Sequence, residues 1–258
     1  MTAPAASPAH DPYAALRVPH YRAYLIGNSL ALLGRQAVLA AATWQVYEWT
    51  RSATALGLVG AVNVLPLLAL SLPAGAIADR HDRRRLITLG TAVIAVVTAA
   101  LAGLAFWSRA VPDLAPLRWA NDGLRSIALL FERPTDAAAL RFDEPALPLV
   151  FLLLLALACA RILIWPARAS ITPLLVPPTA MANAITWNTS AFEIATVAGP
   201  ALGGILIATG GTSSVYALSA GLELVFLAAL GRVRYFQAPA PAPKSATGFD
   251  DMDDDIPF

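Results

Sequence analysis

Long apolar runs broken by polar interruptions give this chain its pattern, the runs covering residues 24–47, 55–77, 86–107, 147–164, 184–209 and 213–230. A helix rises about 1.5 Å per residue, so each run is close to or beyond the length that crosses a hydrocarbon core about 30 Å thick. The pattern therefore predicts six membrane-spanning helices. Pro66 and Pro73 lie inside the second run and predict kinks there, since proline removes an intrahelical hydrogen bond. The interruptions are of different kinds. Residues 48–54 form a short turn, Gly210 and Gly211 a tighter one, and residues 174–181, with Pro177 and Pro178, a connection that cannot continue as helix. Residues 108–146 form a long polar loop in which 124–131 fits a short interfacial helix or a coil equally well.

Composition strengthens the membrane assignment. Hydrophobic residues make up 57% of the chain and charged residues 14%, with a mean hydropathy of +0.61. The net charge of +1 conceals segregation, because five of the seventeen acids fall in the last nine residues and the cations collect in a few turns. Arg80, Arg83, Arg84 and Arg85 crowd the turn between the second and third runs, and short cationic loops resist translocation. With that turn inside, Arg17, Arg22, Arg168, Arg232 and Arg234 also fall inside, and only Arg51 occupies a short outer turn. The long loop is nearly balanced, with five arginines against six acids, and is expected outside. Six spans then return the chain to the side where it began, giving a multi-pass inner-membrane protein with both termini cytoplasmic. The lone Cys159 excludes an intrachain disulfide, and the scattered His10, His20 and His81 read as loop residues, so no metal site is expected.

Two motifs carry a resemblance. Gly75, Asp79, Arg80, Arg83 and Arg84 keep the spacing of the loop between the second and third helices of the major facilitator superfamily, with Asp82 where that pattern has glycine. Gly199, Pro200, Gly203 and Gly204 on the fifth run are similar to the antiporter signature of its exporters. Together the region of residues 17–234 resembles the first half of a proton-linked exporter of the enterobactin-exporter or macrolide-efflux type. That resemblance implies an all-α membrane bundle, a small-molecule substrate, a proton gradient in place of a cofactor, and no enzymatic activity. It also implies that the 75–85 loop latches the half against a partner half, supplied by another segment or by self-pairing. As a plain alternative, the arginines act only as a topology anchor. The glycines let helices approach closely whatever the function.

Four further charges lie in or at the edge of spans: Arg35, Arg161, Glu193 and Glu223. Such charges cost about 2.5–3.5 kcal/mol at mid-helix and face a partner or a wet cavity. Arg35 and Glu193, near mid-span, are expected to line a cavity or couple protons, and Arg161, near the end of its run, to snorkel. A structural ion pair is the competing reading for all four.

Past residue 235 an Ala-Pro linker leads to an acidic tip ending Asp253-Asp254-Asp255-Ile256-Pro257-Phe258. The tip resembles the C-terminus of bacterial single-stranded DNA-binding proteins, which implies docking to DNA replication and repair proteins. Nothing before the linker resembles their oligonucleotide-binding barrel, and the tip is anionic, so direct nucleic-acid binding is not expected. The expected organisation is a disordered tail over 1–21, a six-helix bundle over 22–234, and a linker with its tip over 235–258. Three functions stay open on sequence alone: a half-transporter, a membrane-anchored display of the recruiting tip, and an inactive fusion remnant.

Overall fold

The computed structural model describes residues 11–131 and 140–232, the side chain of Asp79 excepted. Its long elements are α1 (Pro19–Thr50), α2 (Ala53–Arg80), α3 (Arg83–Phe106), α4 (Ala115–Phe131), α5 (Leu147–Ala169), the single-turn α6 (Thr172–Leu175) and α7 (Met181–Arg232). No strand occurs among the described residues, and the fold is an all-α membrane bundle.

Local chemistry sets where the helices begin and stop. Pro19 opens α1, and Arg51 ends it in the left-handed region at φ 53°. The Ser52 hydroxyl caps α2 by accepting from the Ala55 N–H. Asp82, the departure from the family spacing, caps α3 by accepting from the Arg85 N–H at 2.9 Å. Carboxylate in place of glycine therefore starts a helix instead of loosening a turn. Within α7, Gly211 sits at φ 73°, ψ 178°, a backbone that other residues resist, and divides the helix into limbs of residues 181–210 and 212–232. These limbs are the expected fifth and sixth spans.

Three expectations need correction. Residues 11–18, expected in a disordered tail, form a turn and a 3₁₀ segment that docks on α7. Asn183 accepts from the Ala15 N–H and donates to the Pro12 carbonyl, which also receives the Trp187 indole N–H. The helix in the long loop is twice the expected length, because residues 115–123 continue its amphipathic pattern. Finally, α5 continues through Pro166 to Ala169, so Arg161 lies eight residues, about 12 Å, from the helix end. It cannot reach the interface as easily as a shorter span suggested.

The helix α1 is the centre of the bundle, pressed between both limbs of α7. A Cβ on Gly27 would meet Phe226 and Ala229 of the second limb at 3.0 Å, and one on Gly34 would meet the Ser219 hydroxyl at 2.8 Å. From the first limb, a Cβ on Gly199 would lie 2.9 Å from the Leu33 carbonyl, and one on Gly203 3.3 Å from that of Ala37. Backbones approach this closely only where side chains are missing. α7 also packs on α3, while α5 packs on α2 and α3. In contrast with α1, of whose most apolar window half is buried, α2 has only 17% of its window buried. One side of the bundle is therefore left open.

Candidate functional site

The apolar core comes in two clusters. One, at the end bearing the α2–α3 turn, includes Tyr21, Tyr24, Ala31, Ile87, Ala167 and Phe226, and the other, toward the far end, includes Val38, Ile94, Leu154, Ile164 and Tyr216. Buried polar side chains occupy the level between them on three helices: Arg35 on α1, Thr91 on α3, and Ser219 and Glu223 on α7. Helical spacing produces the layer, since each of these residues falls between two core positions of its own helix.

Arg35 and Glu223 meet in this layer. The Nε of Arg35 lies 2.8 Å from Glu223 Oε1, with 8% of the arginine side chain and none of the glutamate exposed. The Nε–H points at the Ala31 carbonyl, 3.1 Å away, so the carboxylate is held by charge and not by an aligned hydrogen bond. Neither Glu223 oxygen accepts a hydrogen bond and the Arg35 Nη2 donates none among the described residues. One turn toward the α2–α3 turn, Arg168 donates to Thr91 Oγ1 at 3.2 Å and to Asn28 Oδ1 at 3.5 Å, with its guanidinium 5.1 Å from the Phe226 ring centre. Of the four charges singled out in the spans, Arg35 and Glu223 thus meet at this buried level as an ion pair, while Arg161, half-buried, lies between Ala160 and Ile164 of the far-end cluster.

Glu193 stands elsewhere. It is exposed on the first limb of α7, twelve residues inside the helix, and has no hydrogen bond or ion pair among the described residues. Thr196 and Pro200 follow it at i+3 and i+7, so the three share a face. Beside them, Gln36 Nε2 donates to Thr196 Oγ1 at 3.0 Å. A groove of about 520 Å³ runs along this face between α1, α2 and α7, lined by Gln36, Thr43, Trp44, Tyr47, Thr196 and Pro200 among others. Its far rim carries the Arg51 guanidinium, 5.7 Å from the Tyr47 ring centre. An exposed carboxylate a third of the way along a span costs about 2.5–3.5 kcal/mol against hydrocarbon, which favours water or another polar surface on this face.

The charged turn is split in its contacts. Arg84 reaches across to α7 and donates to the carbonyls of Leu230 and Gly231 at 3.3 and 3.2 Å, where a cation complements the helix C-terminus. Arg80 and Arg83 are exposed, and a Cβ on Gly75 would meet nothing within 4 Å. Nothing within the described bundle therefore demands the Gly75 position. In the glycine-rich motif, Gly199 and Gly203 face α1, Pro200 lines the groove, and Gly204 faces open space. The tip residues 253–258 lie outside the described residues. Sequence reasoning missed the Gln45–Tyr216 pair (2.7 Å) and the roles of Asn28, Thr91 and Asn183, since single neutral polar residues in apolar runs carry no spacing signal.

Comparison with known proteins supports the fold reading. The chain is 33% identical to the staphyloferrin A transporter of Staphylococcus aureus over 118 residues, which are 45% of this chain and 29% of that relative. The chain thus spans less than a third of the relative's length in the matched region. No solved structure matches. The family profile described as Major Facilitator Superfamily matches residues 24–251, nearly the whole described bundle. With six spans, the two-sided packing of α1 and the charged turn in its place, this chain belongs to the Major Facilitator Superfamily.

Proposed function

We propose that this chain is one half of a proton-coupled exporter of small molecules, and that the groove face of α1, α2 and the first limb of α7 is its side of the transport path. The observation that carries the reading is Glu193, a carboxylate exposed about a third of the way along its span, on the face whose Thr196 and Pro200 line a groove of hydroxyl, amide and aromatic side chains. A carboxylate so placed binds and releases a proton as the path changes its access to water. Export as the direction rests on the similarity of Gly199, Pro200, Gly203 and Gly204 to the antiporter signature. The name of the relative favours a siderophore-like substrate, with a drug-like molecule as the alternative.

A second six-helix half, from another copy or a separate segment, closes the open face. Asp79, Arg80 and Arg83 then latch the halves at the cytoplasmic side of a bacterial inner membrane, while Arg84 is engaged with the end of α7. The test is export of a panel of fluorescent small molecules from everted vesicles under a proton gradient. Glu193→Gln abolishes gradient-driven export without lowering the amount inserted; export that stays coupled in this variant contradicts the assignment.

The acidic tip supports a second reading beside this one. Phe258, preceded by Ile256, Pro257 and three aspartates, suits docking in an apolar pocket rimmed by basic residues, and the negative charge beside it speeds that encounter. On this reading the bundle anchors a recruiting peptide for replication and repair proteins.

A further inference from the structure

The long loop carries α4, which neither the transport path nor the charged layer uses. At 100° per residue its seventeen positions fall into three sectors. Leu117, Asn121, Leu124 and Ala128 face the bundle: Asn121 and Ala128 are buried, Leu124 packs on the far-end cluster, and Asn121 Nδ2 donates to the Glu144 carbonyl at 3.0 Å. Arg118, Asp122, Arg125 and Ser126 form a polar sector, with Leu129 its apolar exception. Between them runs an exposed apolar sector of Trp119, Ala120, Ile127, Leu130 and Phe131, in which Trp119, Leu130 and Phe131 are 75–78% exposed.

We propose that α4 lies along the lipid–water interface at the far end of the spans, with this apolar sector sunk into the lipid. Three observations point to lipid as the occupant. First, α4 packs on α2 and α5, and the Arg141 N–H bonds the Thr50 carbonyl at the end of α1, so the loop is held at the level where the spans finish. Second, Phe106 and Trp107, both exposed, meet edge to face at 5.0 Å where α3 ends, which continues the aromatic band at the same end of the bundle. Aromatic residues gather where a bilayer meets water. Third, the sector opposite the lipid is charged, with Arg118 paired to Asp113 at 2.7 Å in the open. A helix with one protein-facing, one apolar and one charged sector fits an interface in which all three environments meet. The inference rests on the membrane assignment and not on export.

Spin labels on the full chain test it, in vesicles of phosphatidylethanolamine and phosphatidylglycerol. In a Cys159→Ser background, Trp119→Cys, Ile127→Cys and Leu130→Cys are compared with Asp122→Cys and Arg125→Cys for collisions with oxygen and with a water-soluble nickel chelate. The expected result is a several-fold higher oxygen-to-nickel ratio in the first group. Nickel-dominated collisions at every position would mean a solvated helix and overturn the proposal. Low access to both reagents in the first group would mean a protein cover, from a second copy or a soluble partner, and overturn it equally. Quenching by brominated lipid gives a check without labels: Trp119→Phe removes a measurable share of the quenching, and unchanged quenching counts against lipid contact.

Discussion

The Nε of Arg35 and the Oε1 of Glu223 meet 2.8 Å apart across the α1–α7 interface, at the level that separates the two apolar clusters. Removing one partner leaves the other charge buried and alone. Glu223→Gln is expected to destabilise the bundle by about 3–5 kcal/mol, and a double replacement, Arg35→Met with Glu223→Met, to cost much less than the two single changes summed. Thermal unfolding of purified protein in detergent measures both. Additive losses would mean that the two charges do not depend on one another.

Close approach of helices makes a second prediction. Gly34→Val must displace Ser219 and Leu222, whereas Gly204→Val enters open space. The first is expected to lower stability by about 1–3 kcal/mol and the second to leave the detergent unfolding temperature unchanged. Equal losses at both positions would contradict the packing of α1 described above.

The docked segment before α1 gives a third. Asn183 holds it through Ala15 and Pro12, so Asn183→Leu frees the segment while Thr186→Ala, which loses only a bond to its own helix, does not. Limited trypsin digestion reads the difference at Arg17: cleavage there is expected to accelerate several-fold in the first variant only.

For the acidic tip, deletion of Phe258 is expected to abolish capture of a replication or repair protein that binds the single-stranded DNA-binding-protein C-terminus, such as an exonuclease, by vesicles bearing the full chain. Capture that survives the deletion, and is lost in high salt, would assign it to the aspartates alone.

Long apolar runs made the six spans legible, because span length depends on a bilayer thickness that the sequence must match. The charged turn was legible too, with Asp82 explained once its side chain is seen to cap α3. Partnerships were not legible. Arg35 and Glu193 look alike as lone charges in apolar runs, yet one is paired in the core and the other stands exposed on the groove, because the direction each faces depends on which helices pack together. Gly27 and Gly34 are two turns apart on one face of α1, a spacing that was present in the sequence and signals close packing. Gly199 and Gly203 were identified as packing positions, but their partner, α1, needed the structure. The end of α5 was placed too early at residue 164 because Pro166 and Arg168 read as a stop. A proline near a helix end and a cation bonded to Thr91 and Asn28 are compatible with another turn of helix.

The central claim is that the face bearing Glu193 lines an aqueous path and not lipid. Thr196→Cys in the Cys159→Ser background, with Leu152→Cys on the exposed apolar side of α5 as reference, tests it by reaction with a membrane-impermeant thiol reagent in sealed vesicles of either orientation. The account predicts labelling of position 196 and not of 152, slowed when a transported molecule is added. Protection of position 196 to the same degree as 152, from both sides of the membrane, would contradict it.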